Sequence, residues 1–269
     1  MFLHRNVFLI ELKEAKMNEK KLYGRVAIVT GGGSGIGAAT CKLFAREGAR
    51  VAVTDINVIS ARNVAREIKQ AGSEAMAAKV DVTRKKEITR LVQKVISRWG
   101  QIDIVINNAG EGDIGFFVDS KEETWDSVIA VNLKGTMLFT HAVLPHMIDK
   151  KYGRIVNMAS IAGKVGAGMQ VPYSAAKAGI CGFTRALARE VARYNINVND
   201  ICPGPIDTPL YGSIATRDSE LQKKITRDIV QRRMGQPEEV AAGILFLACD
   251  DCRFITGHSL VVDGGVTMI

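Results

Sequence analysis

From Leu22 onward, short runs of apolar and β-branched residues alternate with longer stretches whose apolar positions recur every three or four residues. The short runs predict strands and the longer stretches amphipathic helices. Val26 to Thr30 reads as a buried strand, followed by glycines and a helix to about Glu47. Arg50 to Asp55 predicts a second strand, and Asn57 to Ala71 a helix with apolar Val58, Ala61, Ala65 and Ile68. The alternation continues with a strand over Glu74 to Val80, a helix over Lys85 to Trp99, a strand over Ile102 to Ile106 and a long helix over Thr124 to His146. Then come a strand at Arg154 to Met158, a helix at Tyr173 to Tyr194 and a strand at Ile196 to Ile201. A polar helical insertion over about Gly212 to Arg233 precedes a helix at Pro237 to Ala248 and a last strand at Ser259 to Val262.

Strands that alternate with helices imply βαβ crossovers, and continuously apolar strands imply a parallel sheet covered on both faces. The expected fold is therefore α/β, a Rossmann-like doubly wound parallel sheet of about seven strands with helices on both faces. No linker, low-complexity tract or short repeat interrupts it, so residues 22–269 are expected to form one domain. A chain of 269 residues with 47% hydrophobic content suffices for such a core. Residues 1–21 read as an N-terminal extension outside the fold. Val7 to Ile10 is apolar, but Glu11 interrupts it and no small-residue cleavage site follows, and Glu11 and Glu14 do not suit an acid-poor presequence. Met17 is the expected biological start.

Composition adds the compartment and the charge. No stretch of about eighteen apolar residues runs uninterrupted, so no membrane span is expected. Five cysteines at wide spacings do not form a secreted disulfide framework and suit a reducing, cytoplasmic setting. Cys249 and Cys252 make a lone Cys-x-x-Cys without a second ligand pair. The formal charge of +8 is spread along the chain, which points away from nucleic acid and toward an anionic cofactor or substrate.

The first strand turns into the first helix through Thr30-Gly31-Gly32-Gly33-Ser34-Gly35-Ile36-Gly37. Glycines there let the backbone bend and approach a pyrophosphate, whose charge the free amides and the positive helix end stabilise. The spacing is Gly31-x-x-x-Gly35-x-Gly37 rather than the G-x-G-x-x-G fingerprint. Asp55 ends the second strand, where a carboxylate can accept hydrogen bonds from both adenosine ribose hydroxyls and repel a 2'-phosphate. The plain alternative is that Asp55 caps the helix beginning near Asn57. Neither Ile56 nor Asn57 is basic and Ser34 is neutral, so the expected cofactor is NAD rather than NADP.

Tyr173 and Lys177 stand at i and i+4 on one helix face. One charge about 4 Å away supplies roughly 1–4 kcal/mol, against about 1.4 kcal/mol per pKa unit, so Lys177 is expected to lower the phenol below its usual value of about 10. Tyr-x-x-x-Lys is common on helix surfaces; its setting gives it meaning. Ser160 follows the strand one element upstream, where parallel sheets open their ligand crevice, and Asn107-Asn108-Ala109-Gly110 ends the fourth strand in that crevice. Asn132 lies inside the following helix, where its poor propensity points to a polar relay or a local kink.

Together these motifs resemble the short-chain dehydrogenase/reductase family over nearly the whole chain from about Leu22. They are the glycine turn, Asp81-Val82, Asn107 to Gly110, Asn132, Ser160, Tyr173-x-x-x-Lys177 and Cys202-Pro203-Gly204-Pro205-Ile206-Asp207-Thr208. The resemblance implies that Tyr173 is the general acid/base, Lys177 orients the nicotinamide ribose and lowers the tyrosine pKa, Ser160 polarises the carbonyl, and Asn132 holds a proton-relay water. It implies a cofactor site formed by Gly31, Ser34, Gly35, Ile36, Gly37, Asp55, Asp81, Val82, Asn108, Ala109 and Gly110. Tyr173, Lys177, Pro203, Gly204, Ile206 and Thr208 complete that site. It also implies a homotetramer, with the last strand and Asp263-Gly264-Gly265 at a subunit contact, and a helical substrate lid over about residues 207–235.

The expected activity is hydride transfer between NAD(H) and a secondary alcohol or ketone, without a metal. Among relatives by motif are 3-oxoacyl-carrier-protein reductases and NAD-dependent hydroxyacyl-CoA, glucose and cyclic-alcohol dehydrogenases. One alternative is an NADPH-dependent 3-oxoacyl-carrier-protein reductase; a second is a dinucleotide sensor without chemistry. The insertion carries Arg217, Lys223, Lys224, Arg227, Arg232 and Arg233 against Asp218, Glu220 and Asp228, a balance that suits a substrate with an anionic handle or a solvated helix face.

Overall fold

A computed structural model describes residues 20–211 and 226–268 of the chain. Residues 1–19 of the expected N-terminal extension, with the proposed start at Met17, and residues 212–225 of the expected lid lie outside the described residues, whereas Lys21, read as part of that extension, is bonded to the fold, its amide to Glu47 and its ammonium to Asp251. Seven strands form one parallel sheet: β1 Val26–Thr30, β2 Arg50–Asp55, β3 Ala75–Lys79, β4 Ile104–Asn107, β5 Gly153–Met158, β6 Ile196–Pro203 and β7 Ser259–Val262. Their order is β3-β2-β1-β4-β5-β6-β7. The chain leaves β1 in one direction for β2 and β3, then returns to place β4 on the other side. Ligand crevices of open α/β sheets lie at such a reversal, beyond the carboxyl ends of the strands.

The helices are α1 Gly35–Arg46, α2 Val58–Gln70, α3 Lys85–Trp99, α4 Glu122–Ile129, α5 Gly135–Lys150, α6 Ala162–Val165, α7 Val171–Val191 and α8 Pro237–Ala248. Two cores sandwich the sheet. On one face Phe44, Ala61, Val64 and Ile68 pack with Ile244 and Leu247 against the strands; on the other, Ile88, Leu91 and Val95 pack with Phe139, Val143 and Met147. The expected α/β architecture and the bounds of α3, α8 and β7 match the periodicity. Elsewhere the differences are local. β3 is two residues shorter than Glu74 to Val80, β6 extends two residues further to Pro203, and the single turn of α6 was not expected. The helix expected over Thr124 to His146 is longer and divided, because residues Ala130–Lys134 form a π turn between α4 and α5. This run, Glu122–Lys150, has the length and composition of a membrane span. Its buried residues, however, supply the second core.

The amino ends of the strands are pinned by charge. Arg154, 2% exposed at the start of β5, donates to Asp250 Oδ1 at 2.9 Å, and Arg25 donates to Asp250 Oδ2 at 2.8 Å. The Tyr152 hydroxyl donates to the same carboxylate at 2.8 Å, and the guanidinium carbons of Arg25 and Arg154 lie 3.9 and 4.4 Å from its ring centre. Burial alone would raise the Asp250 carboxyl, but the Tyr152 hydroxyl and the two guanidiniums outweigh it and hold its pKa below the usual range.

Asp250→Ala leaves Arg154 buried without its counter-ion. Because the Asp250 side chain is itself half exposed, the expected cost is about 1–2 kcal/mol, seen as a melting temperature lower by several degrees. A group with a depressed folded pKa stabilises above its unfolded value, here about 3.9, and the contribution disappears as pH falls through the folded pKa. Melting curves between neutral pH and acid should therefore converge for wild type and Asp250→Ala in acid. A constant gap would contradict this assignment.

Candidate active site

At the carboxyl end of β1 two backbone segments almost touch. Gly31 has φ +61°, in the left-handed region, and a Cβ there would lie 2.9 Å from Asn108 Nδ2. A Cβ on Gly37, in the first turn of α1, would collide with the Gly31 carbonyl oxygen. Only glycines allow the turn to close this tightly. Ser34 occupies the N-cap of α1 without a side-chain capping bond, so the first amides of α1 and its positive dipole end face the crevice. A cradle that a Cβ would fill and an uncapped helix start suit a pyrophosphate.

Asp55 stands at the end of β2 beside this turn. Its Oδ2 accepts from Gly33 N at 3.0 Å and its Oδ1 from Asn57 N at 2.8 Å. Helix α2 is capped by Asn57, whose Oδ1 accepts from Ile59 N and Ser60 N. The alternative reading of Asp55 as that helix's cap therefore fails, and its carboxylate instead braces the glycine turn. Asp81 Oδ1 accepts from Thr83 N and Oγ1, and Oδ2 from Arg84 Nε. Val82, buried, packs beside Gly135.

Asn108 donates through Nδ2 to the carbonyls of Thr30 and Gly31, at 2.9 and 3.1 Å. The Thr30 hydroxyl accepts from the amides of Asn108 and Ala109, both at 2.9 Å. Thus β4 holds the glycine turn from the far side of the reversal. The role of Thr30 was not foreseen, since a threonine ending an apolar strand reads as a strand former. From the other side the loop after β6 folds over: Thr208 comes within 3.3 Å of a Cβ placed on Gly35, Gly204 N donates to Val262 O, and Ile206 is buried. Pro203 to Thr208 and the glycine turn consequently share one crevice.

Tyr173 and Lys177, in the first turns of α7, and Ser160, in the turn after β5, meet in that crevice. Burial pushes the Tyr173 phenol up, while a hydrogen bond with Ser160 pulls it back, and the net direction is upward. The Lys177 ammonium is 5.5 Å from the Tyr173 ring centre and donates to Met158 O at 2.7 Å. Its burial lowers its own pKa to about 8. The expected lowering of the phenol by Lys177 is therefore not what this geometry gives: Ser160 is the group that lowers the phenol, and Lys177 is turned toward β5.

Asn132 occupies the π turn. Its Nδ2 donates to Val128 O at 3.0 Å, four residues back, and to Glu111 O at 2.8 Å. The side chain thereby satisfies a carbonyl at the irregular turn. Its Oδ1 is buried without a partner. A Cβ on Gly110 would lie 2.7 Å from that oxygen and 3.6 Å from Lys177 Nζ, so both groups converge on Gly110. An unpaired buried oxygen beside an ammonium suits a bridging water or a hydroxyl of a bound ribose. Of the basic residues of the expected lid, Arg233 is already engaged, donating to both carboxylate oxygens of Glu239 at 2.6 and 2.7 Å.

The site and sheet together define a nicotinamide-dinucleotide-binding α/β oxidoreductase class. A family model described as Enoyl-(Acyl carrier protein) reductase matches residues 31–267. The chain is 42% identical over 246 residues to (2S)-[(R)-hydroxy(phenyl)methyl]succinyl-CoA dehydrogenase subunit of Thauera aromatica, covering 91% of this chain and 97% of that one. It is also 42% identical over 253 residues to a 3-oxoacyl-[acyl-carrier-protein] reductase of Thermotoga maritima, covering 92% and 100%. The crystal structure of levodione reductase superposes with a TM-score of 0.88 at 31% identity, covering 91% of this chain and 98% of that one. The chain belongs to the short-chain dehydrogenase/reductase family.

Gly37→Ala forces a methyl group onto the Gly31 carbonyl, and backbone cannot move aside cheaply. A stability loss of about 1–3 kcal/mol and at least a roughly tenfold weaker dinucleotide affinity are expected. Thermal melting and a fluorescence titration with the cofactor check both; unchanged affinity would remove the glycine turn from the binding site.

Proposed function

We propose that this protein is an NAD-dependent dehydrogenase that oxidises a secondary alcohol, and in reverse reduces a ketone, carried on an acyl thioester. The observation that carries the reading is the convergence of Ser160, Tyr173, Lys177 and the unpaired Asn132 Oδ1 on the crevice that the glycine turn opens. The amides of Gly31 to Gly37 would hold the pyrophosphate, Asp55 the adenosine ribose, and Asp81, Val82, Asn108, Ala109 and Gly110 the adenine and its neighbourhood. Lys177 would hold the nicotinamide ribose, and Pro203, Gly204, Ile206 and Thr208 would flank the nicotinamide. The bound cofactor supplies a hydride acceptor or donor.

Ser160 and Tyr173 hold the substrate oxygen between two hydroxyls. With its pKa raised, the Tyr173 phenol is protonated near neutral pH, so it is poised to donate its proton to a ketone oxygen as charge develops there. In oxidation the phenol first loses this proton toward solvent, and the resulting phenolate oxygen takes the proton of the alcohol. Lys177 adds positive charge near the phenol, and the free Oδ1 of Asn132 holds a water through which the proton is exchanged with solvent.

Asp55 supports NAD over NADP, because its carboxylate stands where a 2'-phosphate would press and no cation follows at Ile56 or Asn57. The thioester reading draws on the two relatives named above, one acting on a coenzyme A derivative and the other on a carrier-protein derivative. The second of these equally favours an NADPH-dependent 3-oxoacyl-carrier-protein reductase, which the cofactor comparison separates. We further propose one catalytic domain over residues 22–269, with a lid at about 207–235, working as a cytoplasmic homotetramer. Exposed Phe246 and Phe254 near the edge strand β7 support the assembly, and five free cysteines support the compartment.

Tyr173→Phe removes the transferable proton and almost no volume. With NAD and a 3-hydroxyacyl-CoA, turnover followed by nicotinamide absorbance should fall by roughly 10²–10⁴-fold while cofactor affinity holds. Near-native turnover would sink the mechanism.

Wild type should show higher kcat/KM with NAD than with NADP. Asp55→Ala should narrow that gap roughly tenfold or more by removing the repulsion. A wild-type preference for NADP would instead favour the carrier-protein reductase.

A further inference from the structure

Helix α7 and strand β6 bring three potential metal ligands together away from the hydride-transfer groups. Cys181 lies one turn beyond Lys177 on α7. Asp200 and Cys202 are two residues apart on β6, so they share a face of the strand, and that face looks onto α7. All three residues are buried, and their ligand atoms lie within 4.8 Å of one another. We infer that Cys181, Asp200 and Cys202 bind one thiophilic divalent cation, zinc in the first instance, which joins the catalytic helix to the strand leading into the cofactor loop.

The spacing fits. Zinc bonds to thiolate sulfur at about 2.3 Å and to carboxylate oxygen at about 2.0 Å, so a tetrahedral angle sets sulfur and oxygen roughly 3.5 Å apart. Asp200 Oδ1 is 3.4 Å from Cys202 Sγ and 3.7 Å from Cys181 Sγ. The oxygen therefore already stands at the separation from each sulfur that a shared cation would impose.

The charge balance also points there. Asp200 is fully buried, and among the described residues it has no ion pair. Its hydrogen-bond donors are the two thiols, which are weak, and the Ser259 hydroxyl at 3.0 Å from Oδ2. A buried carboxylate costs several kcal/mol unless it is paired or coordinates a metal. Ser259 holds the second carboxylate oxygen, as outer partners of metal ligands do, while Ala159 and Ile180 make the surroundings apolar. Two sulfurs and one oxygen select zinc over magnesium or calcium. Binding displaces the two thiol protons, changes no oxidation state, and leaves a fourth position for water. The inference stands independently of the dehydrogenase reading.

The full chain, reduced with a phosphine, stripped with chelator, loaded with Zn2+ and desalted, should retain about one zinc per chain by elemental mass spectrometry. Co2+ in its place should show thiolate-to-metal charge-transfer absorption. Cys181→Ser, Cys202→Ser and Asp200→Asn should lose the bound metal, Ser259→Ala should weaken it by roughly 10–100-fold, and Cys249→Ser/Cys252→Ser should retain it. Less than about a tenth of an equivalent in the wild type, or loss of metal in the Cys249/Cys252 variant instead, would overturn the proposal. The wild-type Co2+ spectrum reads sulfur ligation without any substitution, so a variant that fails to fold leaves the test intact. A wild type that retains no zinc after loading yet turns over normally counts against the metal site alone.

Discussion

The crevice exists because two stretches of main chain, at Gly31 and Gly37, pass closer than any side chain would allow. That contact turns β1 sharply into α1 and leaves the helix start bare toward the strand ends. Everything else at the site is arranged around it. Asn108 and Thr30 tie the turn to β4, Asp55 ties it to β2, and Thr208 closes over it from the end of β6. The reversal of strand order between β1 and β4 supplies the open space; the glycine contact fixes its shape.

Farther from the turn, the sheet interior is unusually polar where β4, β5 and α7 meet. Asn107 donates to Asn157 and Thr140, and Asn157 to Thr184, at 2.8 to 3.0 Å. Such a chain of amides and hydroxyls tolerates little sliding, because a shift of one residue leaves buried groups unpaired. It fixes α7 relative to β4 and β5. Tyr173 and Lys177 ride on that helix, so the positions of the proposed reacting groups are set by bonds made below them in the core.

The sequence showed the alternation of strands and helices well, because each element has one apolar face or an unbroken apolar run. Helices α3 and α8 have sharp ends in the pattern: Gly100 follows the first in the left-handed conformation, and Pro237 opens the second. The motif residues were legible too, since Gly31, Tyr173 and Lys177 occupy positions that chemistry restricts. What escaped depended on partners far along the chain. The bond of Lys177 to the Met158 carbonyl, which turns its ammonium toward β5, and the bracing of Gly33 by Asp55, are set by tertiary packing that i to i+4 spacing does not encode. Arg154, Tyr152 and Asp250 likewise look like surface residues in sequence, because their partners are about a hundred positions apart.

The π turn at Asn132 has a consequence for helical phase. An α-helix advances about 100° per residue, so one residue accommodated in a wider turn rotates everything beyond it by about that angle. Glu122–Lys150 therefore presents two differently oriented faces along one continuous rod. The Asn132 amide attends to the crevice, while Phe139, Val143 and Met147 attend to the sheet. Removing a single residue between Ala130 and Lys134 would restore a regular helix and aim one of those halves at solvent, so the irregularity lets one helix serve both the core and the site.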